Sequence, residues 1–340
     1  MAYTTIDDPT VYFNTVLYTG NGSTQSISGI NHKPDLTWIK GRNNTEAPAL
    51  YDAVRGALFR LLSSGTQTSS SQAGTVTAFG SDGFSIGANA EVNANNILFV
   101  SWNWKANGSG SSNTDGTINT TKTSASTASG FSISTYTGTG SAATFGHGLG
   151  VAPDAVIVKN LGATEDWNVW IRAETPKIGL LNETAAFYSP GAAGINGATI
   201  TSDVIGLGTS VTANGSSATY VAYCFAEKQG YSKFGSYSGV ATTNGAFVYT
   251  GFKPAWVMIK RADSGESWLM MDNKRLGYNP VNEVLLADTN EVEFSNNFDI
   301  LSNGFKTRTT LGNASGGTYI YMAFAESPFV SSSGIPTTTR

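Results

Sequence analysis

Along this chain the large apolar residues come in short runs closed by Gly, Pro, Asn, Asp or Ser, as where Ala246-Phe247-Val248-Tyr249 runs into Thr250-Gly251. Runs of that length between turn formers predict the strands of a sandwich or barrel. Asp82-Gly83 and Asn303-Gly304 accept the positive φ of tight turns and predict two hairpins. One stretch departs from this pattern. Val54, Ala57, Leu58, Leu61 and Leu62 fall at i, i+3, i+4, i+7 and i+8, which predicts a helix over 53–62.

The pattern repeats. A strand after a Pro turn, Pro34-Asp35-Leu36-Thr37-Trp38-Ile39-Lys40, returns as Pro153-Asp154-Ala155-Val156-Ile157-Val158-Lys159 and as Pro254-Ala255-Trp256-Val257-Met258-Ile259-Lys260. Lys40 and Lys159 are 119 positions apart, and Lys159 and Lys260 are 101 apart. Leu61-Leu62 recurs as Leu180-Leu181 and Leu285-Leu286. Ser81-Asp82-Gly83-Phe84 recurs as Ser202-Asp203-Val204-Ile205 and Ser302-Asn303-Gly304-Phe305. An aromatic strand closes each copy: Phe99 to Trp104, Tyr220 to Phe225, Tyr319 to Phe324. Four landmarks in one order predict an all-β chain of three tandem homologous β-sandwich modules, jelly-roll or lectin-like, with at most short helices. The expected division is 1–105 (N-terminal segment and first module), 106–129 (a Gly/Ser/Thr-rich linker), 130–229, 233–328, and a tail at 329–340. The aromatic strands are expected to be central and buried, because Val100, Trp102 and Trp104 share one face and Val221, Tyr223 and Phe225 share another.

Composition narrows the function. Only 13% of the 340 residues are charged, and 20 Lys+Arg face 24 Asp+Glu. A sparse cation set outnumbered by acids cannot supply the phosphate-neutralising stripe that nucleic-acid binding requires, so no nucleic-acid partner is expected. No window reaches the roughly 18 to 20 apolar residues of a membrane span, so no membrane insertion is expected either. The start, Met1-Ala2-Tyr3-Thr4-Thr5-Ile6-Asp7-Asp8-Pro9, has no basic and apolar signal pattern. A Thr/Ser/Asn/Gly-rich chain poor in Lys and Glu has the composition of an extracellular surface protein, and without an export signal it is expected to leave its cell by lysis, as virus particles do.

Chemistry is scarce. Cys224, the one cysteine, sits in a strand and reads as a small buried residue. His32 reads as a turn residue, and His147, in Gly146-His147-Gly148-Leu149-Gly150, as a solvated loop residue. No metal, cofactor or catalytic constellation is expected. Acidic pairs that a glycosidase could use are Glu165 with Asp166, Asp263 with Glu266, Asp288 with Glu291, and Glu227 with Glu326, each read as solvated or structural. Lys40, Lys159 and Lys260 read as cations that blunt edge strands. Trp167, Trp170 and Trp268, with Glu266, admit two readings: core packing, weighed ahead, or a sugar platform in which exposed rings stack on pyranose faces beside polar groups.

The opening Ala2 to Pro9, the run Tyr12-Phe13-Asn14-Thr15-Val16-Leu17-Tyr18-Thr19-Gly20-Asn21-Gly22 and the strand Pro34 to Lys40 resemble structural proteins of tailed bacteriophages of aquatic bacteria. Residues 131–159 and 234–260 resemble the same module. The resemblance implies a tail fibre, head fibre or capsid decoration: a non-enzymatic virion protein acting in assembly or host-surface adhesion. Its expected partners are other virion proteins and host cell-surface glycans. A carbohydrate-binding receptor protein is the alternative, and a polysaccharide depolymerase the more distant one. A homo-oligomer is expected, since association would cover open sheet edges.

Overall fold

The aromatic strands Leu98–Trp104, Thr219–Phe225 and Thr318–Pro328 each lie between two antiparallel neighbours in a large sheet. In the first sheet the order is Phe13–Thr19, Leu98–Trp104, Leu36–Gly41, Ala49–Asp52, Phe59–Leu62, Ser70–Ser71. In the second it is Lys122–Ser126, Phe131–Thr137, Thr219–Phe225, Ala155–Asn160, Asn168–Ile171, Ile178–Leu180. In the third, Ser232–Ser238, Thr318–Pro328, Phe252–Arg261, Leu269–Asp272 and Val281–Leu286 run in the same sense, and Phe294–Leu301, Gly304–Thr307 and Phe247–Tyr249 continue it. Register is conserved along with order: Trp38 pairs with Trp102, Ile157 with Tyr223, and Met258 with Met322.

These strands belong to a computed structural model that describes residues 3–196 and 199–337. Met1 and Ala2 of the opening motif, and the last three residues of the expected tail, lie outside them. The fold is all-β. Among the described residues the α-helices are single turns, Ala90–Asn93 and Val211–Asn214, whose first amides are capped by the side chains of Asn89 and Ser210.

Each large sheet buries both faces, and strand alternation decides which residue goes where. Along Thr219–Phe225, Val221, Tyr223 and Phe225 enter a central cluster, while Tyr220, Ala222 and Cys224 enter a satellite core. Leu98–Trp104 and Thr318–Pro328 divide in the same way. Smaller strand groups close the first two satellites: Gln25–Ser28, Gly83–Ile86 and Val76–Gly80 in one, Ala143–Gly146, Val204–Leu207 and Ile195–Asn196 in the other. The third satellite lies under Phe294–Leu301, Gly304–Thr307 and Phe247–Tyr249. The expected Asp82-Gly83 and Asn303-Gly304 hairpins are present, joining Val76–Gly80 to Gly83–Ile86 and Phe294–Leu301 to Gly304–Thr307.

Three sequence expectations are corrected. Residues 53–62 are not a helix. Asp52 Oδ1 accepts the amides of Val54 and Arg55, Gly56 turns the chain at φ +105, and Phe59–Leu62 leaves as a strand. Residues 106–129 are more than a spacer. Lys122–Ser126 is the outer strand of the second sheet, and Ile118 is buried in its satellite core. Lys40, Lys159 and Lys260 do not blunt edge strands, because each is fully buried on a strand paired on both sides.

Candidate functional site

The central cluster draws on all three large sheets. At its middle, Trp104, Phe225 and Phe324, which hold the same step in the three sequence repeats, touch one another. Their ring centroids are 6.5 Å (Trp104 to Phe225), 5.6 Å (Trp104 to Phe324) and 5.8 Å (Phe225 to Phe324) apart. Around them lies a cavity of about 20 Å³ lined only by apolar and aromatic side chains, among them Trp38, Ile157, Tyr223, Met258 and Met322. A space so small and apolar offers a water no hydrogen-bonding wall.

Outside this core the segments are joined by three junctions with matching parts. A backbone amide crosses each one: Ser69 N–H to Leu161 O at 2.9 Å, Phe187 N–H to Ala262 O at 2.9 Å, and Glu293 N–H to Arg42 O at 2.7 Å. A buried ammonium crosses each one as well. Lys159 Nζ donates to Thr66 O (3.3 Å), Lys260 Nζ to Thr184 O (2.9 Å) and Lys40 Nζ to Asn290 O (3.2 Å). Each also donates to a carbonyl of its own segment: Asn160 O, Arg261 O and Glu46 O respectively. An ammonium has three donors and no acceptor, which suits a cage of carbonyls. Burial pushes the pKa of each down to about 8.

A carboxylate clamp supports two junctions. Asp52 Oδ2 accepts Arg55 Nε at 2.5 Å and the Tyr223 hydroxyl at 2.8 Å. Asp272 Oδ2 accepts Arg275 Nε at 2.7 Å and Trp102 Nε1 at 3.1 Å. At the remaining junction the equivalent positions are Ile171 and Met322, both in the central cluster. The acceptor and its donor are therefore absent together. Glu293 adds a bridge between the first and third segments, pairing with Arg42 at 2.7 Å and Arg275 at 3.0 Å.

The tryptophans pack in the core, the reading weighed ahead, and the sugar-platform alternative does not fit them. Trp167, Trp170 and Trp268 are at most 1% exposed, so no pyranose face reaches them. Trp167 Nε1 donates to Leu62 O at 2.9 Å and Trp268 Nε1 to Leu180 O at 2.8 Å, making both indoles junction pieces. In the first segment Pro48 stands at their position, and Ser63 Oγ donates to Ala287 O at 2.6 Å instead. Trp170 lies in the second satellite core, with the Arg172 guanidinium over its ring. Glu266 accepts the Gly312 amide at 2.7 Å and the Tyr319 hydroxyl at 2.9 Å, holding a loop to an aromatic strand.

The other candidates are also occupied structurally. His147 is buried, not solvated: its Nε2 meets Thr201 O at 3.2 Å, and burial lowers its pKa. His32 Nδ1 meets Thr10 O at 2.7 Å, with its pKa lowered to about 4 by burial. Asp263, Glu227 and Glu326 pair with Arg261, Lys233 and Lys253. Cys224 is buried as expected, its thiol pushed up to about 12 by that burial. Among the described residues no three His, Cys, Asp or Glu cluster as metal ligands, and no helix is long and apolar enough to cross a membrane.

Sequence reasoning missed the clamps, though a signal was present. Asp52-x-x-Arg55 and Asp272-x-x-Arg275 are separated by 220 positions, as are Lys40 and Lys260. Comparison with known families places residues 8–328 under one model, described as a domain of unknown function (DUF7483). No curated protein matches the sequence.

Proposed function

The chain belongs to the DUF7483 family, and we propose that it is a non-enzymatic structural protein of a phage particle, built as three copies of one β-sandwich module closed around a pseudo-threefold axis. The modules are 12–105, 130–229 and 233–328, and the protein serves particle assembly and adhesion to the host surface. The observation that carries this reading is the mutual contact of Trp104, Phe225 and Phe324. Three residues related by a threefold axis touch one another only where they lie beside it.

The junctions support the same reading. Lysine, indole and carboxylate groups that could serve chemistry are committed to joining one segment to the next, in one cyclic sense. Such a unit offers an assembly three similar faces on a single rigid chain, so it fits a position of threefold symmetry by three matching contacts. Further association runs through the sheet edges. Lys122–Ser126 covers Phe131–Thr137, whereas the equivalent strands Phe13–Thr19 and Ser232–Ser238 end their sheets. Open edges of that kind accept another strand.

Antibody labelling of intact particles in the electron microscope tests the proposal. Label at regular positions on the particle is expected. Label confined to the lysate, with washed particles bare, would contradict it.

A further inference from the structure

One cleft of the third segment differs in its lining from the cleft at the matching loop of the first, where Val54 and Phe59 hold the places of Lys274 and Asn279. It opens between Phe252–Arg261, the end of Thr318–Pro328 and the loop after Asp272, and it encloses about 370 Å³. That lies within the usual range for small-ligand sites. Its wall is mainly polar: Lys253 and Glu326, paired at 2.7 Å, then Asn273 and Lys274. At its rim Tyr278 is 69% exposed, the most open large aromatic among the described residues.

We propose that this cleft binds an acidic saccharide, a pyranose carrying a carboxylate. The inference rests on the adhesive part of the function proposed above. Four features converge on it. First, an open tyrosine ring offers a flat face for the C–H side of a sugar. Second, the Asn273 amide and the Glu326 carboxylate stand in the wall, so the cleft presents acceptor groups of the kind that sugar hydroxyls donate to. A phosphate ion at neutral pH has few donors to give and no face to stack.

Third, the wall carries two lysines against one glutamate, which leaves a positive balance for an anionic group, and Lys274 is exposed to meet it. Fourth, the loop is pinned before any ligand arrives. The Asn279 side chain donates to Ile300 O at 2.7 Å and accepts the Ile300 amide at 2.9 Å, so little ordering remains to be done on binding.

The repeat sharpens the argument. At the proposed equivalent positions, Asn273, Lys274 and Tyr278 face Ala53, Val54 and Leu58 in the first segment, and Arg172, Ala173 and Lys177 in the second. Groups that build the axis recur three times, and these three do not.

Isothermal titration of the full chain with oligogalacturonate at low ionic strength tests the site. Saturable binding is expected, weakened about tenfold or more in Tyr278→Ala and in Asn273→Ala at an unchanged melting temperature. Lys274→Gln is expected to bring acidic and neutral oligosaccharides to similar affinity. The proposal is overturned by no binding, by full binding in Tyr278→Ala, by a neutral gluco-oligosaccharide binding as tightly to the unaltered chain, or by inorganic phosphate displacing the sugar. Particle labelling is independent of all four results, so the cleft can fail while the virion reading stands.

Discussion

Trp102 and Asp272 stand 170 positions apart, yet the indole Nε1 donates to the carboxylate Oδ2 at 3.1 Å with both side chains fully buried. The first segment thereby completes the hydrogen-bond shell of an aspartate in the third. Tyr223 does the same for Asp52, and Met322 stands where a donor for the second segment would be. A buried carboxylate is tolerated only when such partners surround it, and removing one member of a buried pair leaves the other uncompensated.

Asp52→Ile alone is therefore expected to destabilise the chain by about 3–5 kcal/mol, since the Arg55 guanidinium then lies buried without its anion. Adding Arg55→Leu and Tyr223→Met reproduces the apolar character of the Ile171 and Met322 junction, and the triple variant is expected to recover most of that loss. Urea unfolding of the single and triple variants measures it. A triple variant at least as weak as the single one would contradict the equivalence of the junctions.

Phe225 touches Trp104 and Phe324 in the central cluster, where the proposed axis runs. Phe225→Ala is expected to cost about 3–5 kcal/mol. Because the cavity opens among all three segments, the expected thermal curve moves as a whole. A loss under about 1 kcal/mol, or a shift in only part of the transition, would mean that Phe225 does not join the three segments in one core.

The three lysines set a pH dependence. An unfolded lysine keeps its proton to about 10.5, while burial brings the folded value to about 8. Between those values the unfolded state binds more protons, so stability rises with pH. Tyrosines act in the opposite direction. Burial holds Tyr18, Tyr51, Tyr136 and Tyr223 well above their ordinary value of 10, so beyond that pH the unfolded state sheds protons first and stability falls. The urea midpoint is expected to climb from pH 8 to about 10 and then decline. Lys260→Met should remove about a third of the climb. A midpoint that falls steadily from pH 8 would contradict the account.

What the sequence made legible was the strand, the turn and the repeat. Prolines, hairpin glycines and aromatic strands act over a few residues, and the structure places the Asp82-Gly83 turn and the Val221, Tyr223, Phe225 face as read. What stayed hidden depends on which segment packs against which. Trp167 and Trp268 read as core ahead of platform without the platform falling away, because the carbonyls that bind their indoles lie 105 and 88 positions away. Lys40, Lys159 and Lys260 look like strand-end cations until carbonyls from neighbouring segments enclose them. The helical spacing over 53–62 arose because Val54 and Leu61 join the central cluster from a turn and from a strand. One sign of burial on both faces was available: Ala155-Val156-Ile157-Val158 is apolar without alternation, as a strand between two cores must be.

Differential scanning calorimetry of the full chain tests the central claim, that three segments share one core, most directly. At about 0.7 kcal/mol per residue near 60 °C, a single cooperative unit of this length unfolds with an enthalpy of about 240 kcal/mol. The account predicts one transition whose van't Hoff enthalpy approaches that total. Separable transitions, such as three with a van't Hoff enthalpy near 80 kcal/mol each, would mean independent domains and would contradict it.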